Sequence, residues 1–400
     1  ESTGFSILTA AIEDIYSEYP GVDNAEKVRN CIIDNYLNYN IGYVILGGDT
    51  DGQNQNNAIV PHRGFAVLDD PSLPSDMYFS NLDGSWNTDN DNSWGESNEM
   101  DLYSEVLIGR ICVDSAEEIE NFTHKLMMYQ NAPVVDDIET AAMVGEELNN
   151  NPWTWGGDYK DQIAYGSNAD GYTTTGVADN FDLYFYYERN GYWDKYDIFD
   201  QFNQNGLNLL NHLGHSNPTY NMKMNNDDLT TTNFTNDGVT RGYAIGYSQG
   251  CYNGSFDNWH FSGYYTEDCF AEKFTTIATG EVASIANSRY GWYMPGGTNS
   301  SSQYYDRQFY HAIFGSNITL IGDANRAARE TNASLMQNDN YMRWTAYELN
   351  LFGDPTMDIW TEIPTDMFTS FPASIPIGTD QVQLVTDAPY ARVALMQGDV

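Results

Sequence analysis

Hydrophobic positions along the chain alternate between helical spacing and short continuous runs. Residues about 8 to 17 and 24 to 39 carry apolar side chains at helical spacing, the second segment through Val28, Ile32, Ile33 and Leu37, and both are predicted helices. Tyr43 to Leu46 is a compact apolar run of the kind that forms a buried strand. A polar loop region extends to about residue 101, after which a strand at Glu105 to Ile108 leads into another helix. That helix opens on Ser115-Ala-Glu-Glu118, a capping-box pattern, and sets Ile119, Phe122 and Leu126 on one face. Pro133 falls where this first α/β unit is expected to end.

A second unit repeats the rhythm. Strands are predicted near Ala141 to Val144, Leu183 to Tyr187, Leu207 to Leu213, Tyr243 to Tyr247 and Val282 to Ala286. Helices are predicted at Cys269 to Thr279, Gln303 to Phe314, Asp323 to Thr331 and Tyr341 to Leu349. Strands alternating with helices imply a parallel, helix-covered sheet. After Phe352-Gly-Asp-Pro355 the pattern changes, and Pro364, Pro372 and Pro376 punctuate short alternating segments such as Gln381 to Val385. The expected fold class is α/β, with parallel-sheet subdomains over residues 1–133 and 134–362 and a short β region over 363–400.

Composition narrows the function. With 41% apolar residues and 30 tyrosines the chain can bury a core, and its polarity lies in Asn-, Asp- and Gly-rich loops. The formal charge, 17 minus 57 or −40, argues against nucleic acid and anionic membrane surfaces, which reward clustered Lys and Arg. No apolar run approaches the ~18 residues a membrane span needs, and Glu1 to Ser6 lacks both the basic and the apolar part of a signal peptide. Four cysteines, Cys31, Cys112, Cys251 and Cys269, are too sparse for a disulfide framework and lack metal-type spacing.

The candidate chemistry lies at two strand ends. In Arg241 to Asp257 an apolar run stops at Gly250-Cys251 and gives way to an Asn253-Gly254 turn. A Cys at the carboxyl end of a central strand stands at the rim where open α/β sheets place their ligands. Another apolar run, 36 residues upstream, ends in Gly214-His215. Neighbouring parallel strands lie about 4.8 Å apart, so a Cys–His pair is geometrically natural. Either His215 takes the thiol proton or it holds a thiolate as an ion pair, lowering the cysteine pKa toward neutrality. His212 falls on the opposite strand face and is expected to pack or bridge, and His260 is the rival base. The strand Ala141 to Val144 ends in Gly145-Glu146-Glu147, so either carboxylate is placed to orient the imidazole. No phosphate-loop, GxSxG or HExxH pattern is present, so no catalytic cofactor is expected.

Gly214-His215 ending one strand and Cys251-Tyr-Asn-Gly254 ending the next resembles the gingipain family of cysteine peptidases, in the caspase-like clan. Tyr43 to Asp49, Val106 to Arg110, Cys269 to Glu272, Ser284 to Trp292 and Leu351 to Pro355 resemble family stretches in the same order, so the similarity covers nearly the whole chain. One departure is Ser216, where the family usually has Gly. The resemblance implies a secreted or surface-bound bacterial endopeptidase acting on protein or peptide substrates, and an immunoglobulin-like domain beginning after residue 362. It implies Glu147 as the orienting acid and main-chain N–H groups of Cys251 and Ser216 as the oxyanion hole. Asp158 follows Glu147 by eleven residues in a Trp- and Gly-rich segment read as non-helical. In the arginine-specific members an acid at matching spacing takes the P1 side chain, with an aromatic lid matched by Trp292. That predicts cleavage after Arg, with Lys weaker, and Arg289 as a pocket residue that neutralises Asp158 or inverts the pocket's charge. Structural calcium is also implied. Asp49 and Asp51 after the first strand, and Asp89 and Asp91 in the run Asn87 to Ser93, offer the oxygen donors a hard cation needs. An inactive, peptidase-derived binding protein is the alternative reading.

Overall fold

The computed structural model describes residues 5–50, 58–261, 263–365 and 367–388. Its centre is an eight-stranded sheet. The strands in chain order are β1 (Tyr43–Gly47), β2 (Leu107–Ile111), β3 (Thr140–Gly145), β4 (Asp182–Tyr187), β5 (Leu209–Leu213), β6 (Ala244–Ser248), β7 (Glu281–Asn287) and β8 (Leu349–Phe352). Across the sheet their order is β1-β2-β8-β7-β6-β5-β3-β4. All neighbours pair in parallel except β7 with β8. The sheet is therefore two parallel sets running in opposite senses and fused along one antiparallel seam.

Every residue of β3, β5, β6 and β7 is buried, which is why these strands read as unbroken apolar runs. Their side chains alternate between two cores. Ala141, Met143, Leu209, Ile245 and Tyr247 join one cluster, while Ala142, Val144, Leu210 and Ala244 join the other. Each large apolar side chain so buried contributes about 1.5–3 kcal/mol relative to exposure.

The longer helices are α1 (Ile12–Glu18), α2 (Asn24–Tyr39), α3 (Ala116–Asn131), α4 (Gly156–Ala164), α5 (Lys195–Asp200), α6 (Phe270–Thr276), α7 (Ser301–Ser316), α8 (Ile321–Thr331) and α9 (Asn340–Glu348). The capping box of α3 forms as expected: Glu118 N donates to Ser115 Oγ and Ser115 N to Glu118 Oε2, both at 3.3 Å. Phe122 is buried, whereas Ile119 points to solvent. Beyond residue 362 the only ladder among the described residues pairs Thr369–Ser370 with Val385–Thr386. That pairing alone does not show the immunoglobulin-like start expected there.

Candidate active site

The site is built where β5 and β6 end. Ser248 pairs with His212, and Gln249 N donates to His212 O at 3.0 Å. Continuing this register carries Gly250-Cys251 alongside Gly214-His215, so the strands deliver both side chains to one rim. Ser216 Oγ donates to Cys251 O at 2.6 Å and locks the two strand-end loops together. The N–H groups of Ser216 and Cys251 donate to no partner among the described residues. Ser in place of the family's Gly is thus accommodated, with its hydroxyl turned onto the Cys251 carbonyl.

The Cys251 residue is half-buried, and its Sγ lies 3.8 Å from Gly291 O, to which the thiol donates. Burial pushes the thiol up to about 12, and nearby Glu348 adds to the shift. Burial thus works against a thiolate–imidazole ion pair, one of the two sequence expectations. Among the described residues no hydrogen bond joins this thiol to His215.

Glu147 is corrected. Glu146, not Glu147, turns into the site: its Oε2 accepts from His215 N at 3.1 Å and its Oε1 lies 3.4 Å from His212 Nε2. Gly214 makes room for it, since a Cβ there would sit 2.3 Å from Glu146 Cδ. Glu147 instead opens a short hairpin, pairs with Trp155 and donates its N–H to Glu188. No carboxylate lies within ion-pair reach of the His215 imidazole among the described residues. His212 bridges Glu146 to Ser248 Oγ at 2.9 Å, and burial lowers its pKa. His260 lies edge-on to Tyr252, with ring centroids 4.8 Å apart. Removing the Glu146 carboxylate strips a charged acceptor from a part-buried N–H, worth about 1.5 kcal/mol. Glu146→Ala is expected to lower kcat/KM at least about tenfold with a clear drop in Tm, and Glu147→Ala to change neither. Equal effects in parallel kinetics and melts would undo this distinction.

A buried polar network sits beneath the site. Lys160 of α4 pairs with Asp306 of α7 at 2.7 Å, and Asp306 also accepts from Asn211 of β5 at 2.7 Å and from Gln249 at 2.6 Å. Gln249, two residues before Cys251, is tied in addition to Gln303 at 2.9 Å. These bonds fix where β6 ends.

The three substrate-pocket expectations fare differently. Asp158 lies in the first turn of α4 rather than in an irregular loop, is half exposed, and is ion-paired with Arg189, which also holds Asp161 at 2.6 Å. Arg289 is 2% exposed and is spent inside the protein on Asp257 at 2.6 Å and Asp70 at 2.7 Å. It neither faces a pocket nor pairs with Asp158. Trp292 follows Gly291, the acceptor of the thiol, and its ring packs edge-on against Tyr341 and Trp344. Of the three it is the one whose chain neighbour, Gly291, meets the nucleophile. Of the metal-ligand expectations, Asp89 and Asp91 gather with Glu96, and Asp49 stands with Cys112 and Glu272, each set with its ligand atoms within 4.8 Å of one another. Asp51 lies outside the described residues. Alternation in Asn87 to Ser93 carried Asp89 and Asp91, but Glu96, Cys112 and Glu272 had no sequence signal because the fold alone brings them in.

The family model for peptidase family C25 matches residues 1–360. The chain is similar in structure to the Arg-specific cysteine proteinase gingipain R (RGPB), with a TM-score of 0.69 and 20% identity, covering 94% of this chain and 77% of that one. A complex of the pro- and mature domains of Porphyromonas gingivalis RgpB gives a TM-score of 0.63 at 18% identity, covering 94% and 79%. A further structure, described only as a protease, gives 0.63 at 19%, covering 90% and 74%. No curated protein matches the chain in sequence. No helix of the described residues is long and apolar enough to cross a membrane. The structures establish the shared caspase-like fold, and the family match spans almost all of it: the chain belongs to peptidase family C25, the gingipain family of cysteine peptidases.

Proposed function

We propose that this cysteine endopeptidase works through Cys251 and His215. The thiol sulfur attacks the scissile carbonyl while the imidazole takes its proton, and the same proton passes to the leaving amine. The N–H groups of Cys251 and Ser216 hold the oxyanion. Glu146, bonded to the His215 backbone, positions the base rather than relaying charge. The carrying observation is the β5–β6 register, which sets both strand ends at one rim beside two N–H donors that have no partner among the described residues. Labelling with a peptidyl acyloxymethyl ketone tests it: one equivalent bound to the wild-type chain and none to Cys251→Ala is the expected result, and equal labelling of both removes Cys251 as nucleophile.

The finer reading is a basic P1 residue and action outside a bacterial cell. A charge of −40 favours cationic substrates by long-range attraction, and the structure similar at a TM-score of 0.69 is of an Arg-specific proteinase. Asp158 meets a P1 guanidinium only by exchanging its partner Arg189. Arg189→Ala is expected to raise kcat/KM for P1-Arg peptides over P1-Leu peptides by about tenfold, the worth of one exposed-to-buried charge contact. Unchanged selectivity in a peptide-library profile removes Asp158 from the pocket.

Structural calcium is held, in this reading, by Asp89, Asp91 and Glu96. The donors are all oxygen, as a hard cation requires. Close by, Glu99 accepts from Thr88 and Asp89 through Oε1 while its buried Oε2 has no hydrogen-bond partner. EGTA is expected to lower Tm by several degrees and added calcium to restore it, because a ligand bound only to the folded state stabilises by mass action. A Tm indifferent to both excludes the site.

A further inference from the structure

Three segments far apart in sequence converge where β1 and β2 end. Asp49 follows β1, Cys112 follows β2 and Glu272 lies in the first turn of α6, and one ligand atom of each falls within 4.8 Å of the others. Zinc–sulfur and zinc–oxygen bonds run roughly 2.0–2.3 Å, so small inward shifts of the three side chains bring their ligand atoms onto one ion. Cys112 is 6% exposed and Glu272 1%.

Glu272 carries the independent sign of a ligand. Its Oε2 is occupied by Cys269 N at 2.7 Å, closing the capping box of α6. Its Oε1 is buried with no hydrogen-bond partner, a state that costs about 1–3 kcal/mol or more for a charged group unless something compensates. The nearest cation acting on Cys112 is Arg110, whose charge is already matched by Asp76 at 2.7 Å. Cys269, fully buried in the same small cluster as Cys112, adds a second thiol to the neighbourhood. Asp268 lines an acidic cavity of about 480 Å³ together with Glu117, Glu118, Asp227 and Glu267, which concentrates cations outside the trio.

We infer that Asp49, Cys112 and Glu272 form a binding site for a thiophilic divalent cation of the zinc class, separate from the nucleophile and from the all-oxygen Asp89 group. Mixed thiolate and carboxylate donors select such an ion over calcium or magnesium. Binding releases the Cys112 proton, so the cation joins one thiolate and two carboxylates and ties β1, β2 and α6 together.

Cobalt(II) is the probe. The Cys251→Ala chain, stripped with EDTA and titrated with Co²⁺, is expected to develop a near-ultraviolet thiolate-to-cobalt charge-transfer band at one equivalent, displaced by Zn²⁺ but not by Ca²⁺. Adding Cys112→Ser is expected to abolish the band, and Glu272→Gln to weaken cobalt affinity at least about tenfold, one lost ligand contact. Absence of the band in the Cys251→Ala chain overturns the proposal, as does a band that survives Cys112→Ser. Should Cys112→Ser fail to fold, Glu272→Gln decides alone: an unchanged affinity in a chain with native near-ultraviolet circular dichroism overturns it.

Discussion

Replacing Cys251 by alanine is expected to remove peptidase activity by about 10⁴-fold or more, with Tm unchanged within about a degree, and His215→Ala to do nearly the same. The two act as one unit, so each single change costs close to what both together cost. Little stability is at stake, because both lie past the last paired residues of β5 and β6 and the thiol's sole hydrogen bond among the described residues is the long one to Gly291 O. What survives is the catalysis a bound substrate receives from unpaired backbone donors. Turnover of an unbiased peptide pool, measured beside circular dichroism melts, checks both halves. A Cys251→Ala chain that keeps a tenth of the activity would place the nucleophile elsewhere, and one that unfolds early would make the cysteine a core residue.

The sequence carried the site's position because strand ends have a local signature: an apolar run, a glycine, then a polar side chain at the rim. Gly214-His215 and Gly250-Cys251 both follow it. Which of two adjacent acids faces inward has no such signature. Glu146 was separable from Glu147 only once the Gly214 backbone was seen to leave room for its carboxylate. The same holds for α4, which opens on two glycines and so read as irregular on propensity alone. Those glycines serve packing instead, since a Cβ on Gly156 would sit 2.4 Å from Leu213 O, and the helix start lies against the end of β5. The strand β8 was hidden because Leu349 to Phe352 follows α9 without a break and is too short to show a period. Fold-wide facts of this kind, such as the charge that Arg289 meets, depend on residues dozens to hundreds of positions away.

Asp257→Ala is expected to destabilise the protein by about 3 kcal/mol, the lower end for breaking a buried ion pair because Asp70 still meets the cation, and to lower Tm by about 4 °C. Arg289 is held on every side. Nη1 donates to Asp257 Oδ1 at 2.9 Å, Ser255 Oγ at 3.2 Å and Ser288 O at 2.8 Å; Nη2 donates to Asp257 Oδ2 at 2.6 Å and Ser72 O at 3.1 Å; Nε donates to Asp70 Oδ2 at 2.7 Å. Its guanidinium also lies 4.8 Å from the Trp259 ring centroid. Removing Asp257 leaves Asp70 as the one remaining carboxylate on a charge that cannot be discharged by losing a proton. Activity is expected to fall with stability, because the same residue holds the nucleophile's loop: Tyr252 N donates to Arg289 O at 2.7 Å, and Tyr252 takes a positive φ of 59° directly after Cys251. Without the Arg289–Asp257 clamp that uncommon backbone state loses its support. Asp257→Asn keeps the shape and one acceptor, and is expected to recover part of both losses. Denaturant melts and kcat/KM on the same preparations separate this account from the pocket role read in sequence. A chain with Asp257→Ala that melts like wild type while its P1 preference changes would return Arg289 to the substrate.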